Sequence, residues 1–146
     1  EAVRNDDVNY ILVLVKSGHD VNMREEEKKR TPLMFVRSWA TAATLIKYGA
    51  NVKSVDNNGW TPLHHAVFAP QARLIMELFV EKGADINARN NLGSTPLAVC
   101  IPPNKTELVE LLLKLGADPS IPDHSGSTPL DTAYALGHRY IVQTLD

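Results

Sequence analysis

The stretch TPLHHAVF, residues 61–68, shares its first three letters with three other places in the chain: TPLM at 31, TPLA at 95 and TPLD at 128. Thr31, Thr61, Thr95 and Thr128 are therefore separated by 30, 34 and 33 residues. A second series runs out of phase with the first: SGHDVN from 17, YGANVK from 48, KGADIN from 82 and LGADPS from 115. Its glycines, Gly18, Gly49, Gly83 and Gly116, are spaced by 31, 34 and 33. Two signals that share a period but not a phase mark an internal repeat.

Each signal has a physical reading. Thr can cap the free N–H groups at a helix start, and Pro tolerates the first helical position. Gly accepts the left-handed conformation that closes a helix C-terminus. Between one stop and the next start lie VDNNGW (55–60), RNNLGS (89–94) and PDHSGS (122–127), which are turn sequences. Between start and stop there is room for two short helices. In PPNKTELVELLLKLG (102–116), Pro102 and Pro103 end one helix, and Asn104 with Glu107 predicts a capping box for the next. Leu108, Leu111, Leu112 and Leu115 follow at helical spacing.

A turn, helix, loop and helix repeated about every 33 residues resembles the ankyrin repeat. The resemblance covers essentially the whole chain. It implies an all-α solenoid, a single domain over 1–146 with repeats at approximately 1–22, 23–53, 54–87, 88–120 and 121–146. One such repeat cannot bury its apolar face alone, but stacked neighbours share a continuous core.

Two places depart from the pattern. The first inter-repeat turn reads MREEEKKR (23–30), with Lys29 where the others have Gly59, Gly93 and Gly126. It is also one residue longer, so a turn of different shape, or a mobile one, is expected. The charge run is either a solvated tip or a charged contact finger. The first complete repeat is about three residues short, and the loss falls around Arg37 to Trp39. Counted from Thr31, Trp39 is an exposed loop residue; counted back from Gly49, it is a core residue of the second helix.

Composition narrows the function classes. Hydrophobic residues make up 44% of the 146 residues, enough for a core. The net charge of -2 is not that of a general nucleic-acid binder, which is usually basic. The longest apolar runs are too short to span a bilayer, so no membrane association is expected. The single cysteine, Cys100, excludes an internal disulfide and a thiolate zinc cage, and its small apolar helical position suits a buried, inert thiol. The chain opens at Glu1 rather than Met and is read as processed or trimmed, so cytosolic and exported bacterial settings both stay open. Ala2 and Val3, and Ile141, Val142 and Leu145 at the other end, are apolar positions that further helix would cover.

The histidines do not assemble a metal site by spacing. His64 follows Thr-Pro-Leu where the family has a structural His, His65 has no adjacent ligand pattern, and His19, His124 and His138 fall in turns of different repeats. No glycine-rich phosphate loop or nucleophile elbow is present. NKT at 104–106 matches a glycosylation acceptor triplet, relevant only on a eukaryotic secretory route. No catalytic residue, cofactor or metal is expected.

The resemblance implies a non-catalytic, monomeric protein-binding module. Its contacts would come from the turn tips and the exposed face of each first helix, together one long concave surface. Carried over position by position, the partner-binding candidates are Glu25, Glu27, Lys28 and Arg30, then Val55, Asn57, Asn58 and Trp60, with Phe68 and Leu92. Trp60 either packs on its neighbouring turn or serves as an aromatic anchor, with Phe68 and Leu92 extending the apolar patch. Within that class the module is a scaffold, a stoichiometric inhibitor that occludes a partner enzyme, or a structural spacer in a longer chain.

Overall fold

A computed structural model describes residues 8–146; Glu1, Ala2 and Val3 lie outside the described residues. The described residues are helical throughout their regular structure, with no strand among them. In chain order they form α1 (Val8–Lys16), a single-turn 3-10 helix (Pro32–Phe35), α2 (Trp39–Lys47), α3 (Pro62–Ala66), α4 (Ala72–Glu81), α5 (Pro96–Cys100), α6 (Thr106–Lys114), α7 (Pro129–Leu136) and α8 (Arg139–Leu145).

The chain divides into two compact parts, one ending at Ala84 and the other comprising Asp85–Asp146. In the first part α1 packs on α2, α2 on α4 and the 3-10 helix, and α3 on the 3-10 helix and α4. Leu33, Leu45, Leu63, Ile75, Met76 and Phe79 form its interior. In the second part α5 packs on α6, α6 on α8, and α7 on α8, around Leu97, Ile101, Val109, Leu112, Ala133 and Ile141. Each large apolar side chain so enclosed contributes about 1.5–3 kcal/mol.

Every Thr-Pro pair starts a helix, and three of the four do so with the side-chain cap their chemistry predicts. Thr31, Thr61, Thr95 and Thr128 all have extended backbones, with Pro at the first helical position. The Oγ1 atoms of Thr61, Thr95 and Thr128 accept from the N–H of His64 (3.3 Å), Ala98 (3.2 Å) and Asp131 (3.2 Å). The third side chain often returns the favour: the Thr61 N–H donates to His64 Nδ1 at 3.1 Å, and the Thr128 N–H to Asp131 Oδ2 at 2.9 Å. Thr31 is the exception. Its N–H reaches only the Met34 sulfur, at 3.4 Å, and its buried Oγ1 has no hydrogen-bond partner among the described residues. The helix it starts is one 3-10 turn.

The missing residues of that repeat are taken from its first helix and the following loop. The 3-10 helix ends at an extended Val36, and Ser38 already caps α2 by accepting the Thr41 N–H at 3.3 Å. Trp39 combines the two alignments: it is the first residue of α2, yet 48% of its surface is exposed. Its backbone N–H donates to Gln71 Oε1 at 2.8 Å, at the start of α4.

The capping box expected from Asn104 and Glu107 is not formed. Lys105 occupies the cap position of α6 and no side chain caps it. Asn104 takes a left-handed conformation (φ 58°) instead, and the Lys105 N–H turns back to the Cys100 carbonyl at 3.1 Å. Two consecutive prolines supply no N–H groups, so the loop closes through residues after them.

Candidate functional site

The turns between repeats are built on one acceptor. Asp56 Oδ1 accepts from the N–H groups of Asn58 (2.9 Å) and Trp60 (3.0 Å). Asn90 does the same for Leu92 (2.9 Å) and Ser94 (3.0 Å), and Asp123 for Ser125 (2.9 Å) and Ser127 (3.1 Å). A glycine with positive φ completes each turn: Gly59, Gly93 and Gly126. The backbone closes it, as the Asp56, Asn90 and Asp123 N–H groups donate to the carbonyls of Trp60, Ser94 and Ser127.

The charged first turn is closed by the same device in a wider form, which fits the expectation of a turn of different shape rather than a mobile one. Glu25 replaces the Asp/Asn, and its Oε1 accepts from the N–H of Lys28 (2.9 Å) and Arg30 (3.3 Å). The extra methylene spans the extra residue. Lys29 assumes the glycine's left-handed conformation, φ 58°. The Glu25 N–H donates to the Arg30 carbonyl at 3.0 Å, closing a turn one residue wider than its counterparts.

Neighbouring turns are fastened by a pair of arginines that the motif reading did not single out as structural. Arg24, immediately before Glu25, donates to the Lys29 carbonyl at 3.0 Å and to the Val55 carbonyl in the next turn. Arg89, immediately before Asn90, donates to the Gly93 carbonyl at 3.1 Å and to the Pro122 carbonyl at 2.8 Å. Their identical position before the turn acceptor was the available signal. Tip-to-tip bonds add to them: the Asn57 N–H to the Lys28 carbonyl, and the His124 N–H to the Leu92 carbonyl, both at 2.9 Å.

The candidate residues therefore fall into different settings. Glu25 and Arg30 face each other at 3.2 Å, and the Arg30 guanidinium lies 4.5 Å from the Phe35 ring centroid. Asn57 donates from Nδ2 to the Glu27 carbonyl at 3.2 Å. The Glu27, Lys28 and Asn58 side chains are exposed, as is Val55. Leu92, in the second compact part, is the most exposed large apolar side chain described, at 71%.

Trp60, His65 and Phe68 come together in the first part. The Trp60 ring is half-buried and stacks on Phe68 with centroids 6.2 Å apart and planes at 27°. It also meets His65 at 5.2 Å and His64 at 5.6 Å, both tilted. Phe68 is 56% exposed, so one side of this stack faces solvent. His64 is fully buried and tied to Thr61. His65 pairs with Asp56: Nε2 is 2.8 Å from Oδ2. Sequence spacing alone did not reveal this pair, because nine residues separate a turn residue from a helical one. Burial lowers the His65 imidazole below its ordinary value; Asp56 opposes that shift, and Arg30 and Lys28 reinforce it. Burial prevails, so the His65 imidazole holds a proton less readily than a free one despite its contact with Asp56.

The described residues hold no group of three or more His, Cys, Asp or Glu side chains able to bind a metal ion. Cys100 is buried, and burial pushes its thiol up to about 12. No described helix is long and apolar enough to cross a membrane.

Comparison with known proteins gives the same answer as the geometry. A family model for ankyrin repeats (3 copies) matches residues 1–90 and 69–145. Mouse Rabankyrin-5 is 32% identical over 111 residues, 66% of this chain and 10% of the relative. An ankyrin repeat protein of variola virus is 30% identical over 89 residues, 59% of this chain and 16% of the relative. An ankyrin repeat-containing protein of Schizosaccharomyces pombe is 44% identical over 52 residues, 36% of this chain and 25% of the relative. The matched regions thus span between 10% and 25% of the length of these relatives.

Proposed function

Because this chain belongs to the ankyrin-repeat family, whose members generally serve as protein–protein interaction modules, we propose that it binds a partner protein through its turn tips and the exposed side of its first helices, without catalysis. The observation that carries this reading is the Trp60–Phe68 stack. An aromatic pair half open to solvent sits on a turn whose backbone is already fixed by Asp56 and Gly59. Such a surface is pre-organised, so little ordering entropy is lost when a partner covers it. Aromatic anchors of this kind dominate interface energies, with truncation costing about 2 kcal/mol or more at a hot spot. Glu25, Arg30 and Asn57 support the surface by shaping the first two tips, while Glu27, Lys28, Val55, Asn58 and Phe68 offer side chains to the partner. Leu92 offers an apolar contact from the second part.

The test is affinity capture from the native source with the chain and its Trp60→Ala variant as parallel baits. A protein retained by the chain and lost by a folded variant is the expected result. Equal retention by both baits sinks the Trp60 anchor.

A further inference from the structure

The four first helices share their Thr-Pro-Leu start and differ around it. The fifth residue counted from each Thr is Phe35, His65, Val99 or Thr132, and the residue before each Thr is Arg30, Trp60, Ser94 or Ser127. In the first two of these four helices the positions touch. Arg30 lies over Phe35, a cation on an aromatic ring. Trp60 lies against His65, an aromatic ring on a group that becomes a cation when protonated. The same contact is made twice with the roles exchanged.

The charge around this platform is asymmetric. The groups acting on the His65 imidazole are Asp56 from its own turn, and Arg30 and Lys28 from the turn before. The 3-10 helix packed against α3 carries no charge; on α4 Arg73 and Glu77 pair with each other at 3.3 Å, and Glu81 is the last residue of the helix. Two carboxylates are already committed: Glu25 to Arg30, and Asp56, with a side chain 3% exposed, to His65. Lys28 has no ion-pair partner among the described residues. An aromatic surface edged by an unpaired cation and a protonatable imidazole favours an anionic group beside an apolar one.

We propose that the platform of Trp60, His65 and Phe68, edged by Lys28, is the docking site for a segment of the partner protein that carries a carboxylate next to an apolar side chain. The apolar side chain covers the Trp60–Phe68 stack, and the carboxylate sits between Lys28 and His65. This rests on the interaction-module reading above and names the partner chemistry of the same face.

The proposal has a proton signature. A docked carboxylate favours the charged imidazole, so binding takes up a proton and strengthens as the pH falls. If docking raises the imidazole's proton affinity about tenfold, peptide affinity rises by up to about tenfold as the pH falls from neutrality through the lowered value of the free imidazole. The peptide's own carboxylates titrate lower, near 4, and do not produce this change. An apolar or basic segment covering His65 would give the opposite slope.

The experiment is selection of a displayed library of random short peptides against the chain, followed by titration of the selected peptides with four variants. The expected result is enrichment of Asp or Glu beside a large apolar residue, and affinity that rises several-fold as the pH falls. Lys28→Glu weakens binding roughly threefold or more. His65→Gln, which keeps a donor toward Asp56, removes the pH dependence. Phe68→Ser and Trp60→Ala abolish binding. Selected peptides that are neutral or basic, or a pH dependence that survives His65→Gln, overturn the proposal. Peptides lost with Trp60→Ala but lacking acidic residues overturn it while leaving the interaction face intact. Peptides indifferent to Trp60→Ala, or no selected peptides, overturn both.

Discussion

Gly93 is a position at which a single methyl group should do marked local damage. Its φ is +79°, a conformation that costs a side-chain-bearing residue about 1–2 kcal/mol. A Cβ there would stand 2.6 Å from His124 Cδ2, 2.7 Å from the His124 backbone nitrogen and 3.0 Å from a terminal nitrogen of Arg89. The backbone contact cannot be relieved by a rotamer change. That nitrogen donates to the Leu92 carbonyl at 2.9 Å, so any retreat stretches the bond joining the two tips. Arg89 would be pushed from its bond to the Pro122 carbonyl as well. Overpacking of this kind adds about 1–3 kcal/mol. Gly126 supplies the control, with φ +87° and nothing within 4 Å of its ideal Cβ. Gly126→Ala should lose only the strain, about 1–2 kcal/mol, and Gly93→Ala about 2 kcal/mol more. Urea unfolding followed by far-UV circular dichroism measures both. Equal losses for the two variants would show that the tips yield freely and that the tip-to-tip contacts do not hold them.

The opposite change belongs in the first turn. Lys29→Gly removes left-handed strain and should stabilise by about 1 kcal/mol; an unchanged urea midpoint would contradict it. Thr31→Val removes a buried hydroxyl without a partner and should be neutral or stabilising by up to about 1 kcal/mol. Thr95→Val discards a working cap and should lose about 1 kcal/mol, so equal losses for the two would refute the distinction. His65 has a lowered folded pKa, so stability is full above about 6.5 and declines as the pH falls below that value. His65→Gln should flatten this part of the pH–stability curve, and an unaltered slope would assign the protons elsewhere. The Cys100 thiol, pushed up to about 12, should resist Ellman's reagent at neutral pH until the chain unfolds; prompt labelling of the folded chain would refute its burial.

The repeat was legible because its signals are local. A Thr-Pro start needs only its own N–H groups and those of the next turn of helix, and every Thr-Pro pair delivers one. What was misread depends on residues outside the motif itself. Asn104 and Glu107 have capping-box spacing, but the two prolines before them force the loop to close through Asn104 in a left-handed conformation. Trp39 was ambiguous because a shortened repeat can lose residues from its helix or its loop, and here it loses them from both.

The turn positions show most clearly where sequence pattern stops deciding function. When turn tips are read as contact surfaces, every polar residue of a turn looks like a candidate. The fold draws some of them inward for its own closure. Glu25 is taken as the acceptor that replaces Asp, Arg30 as the ion that neutralises it, and Asn57 as the link to the preceding tip. Arg24 and Arg89 are taken as fasteners between tips, though their charge alone would suggest surface contacts. Their removal would loosen the tips before it removed any contact with a partner. Lys28 is a second cation two residues earlier on the same turn, yet its side chain is exposed and makes no ion pair among the described residues. Geometry therefore separates residues that composition treats alike: Arg30 holds the turn through Glu25, and Lys28 makes no such ion pair among the described residues.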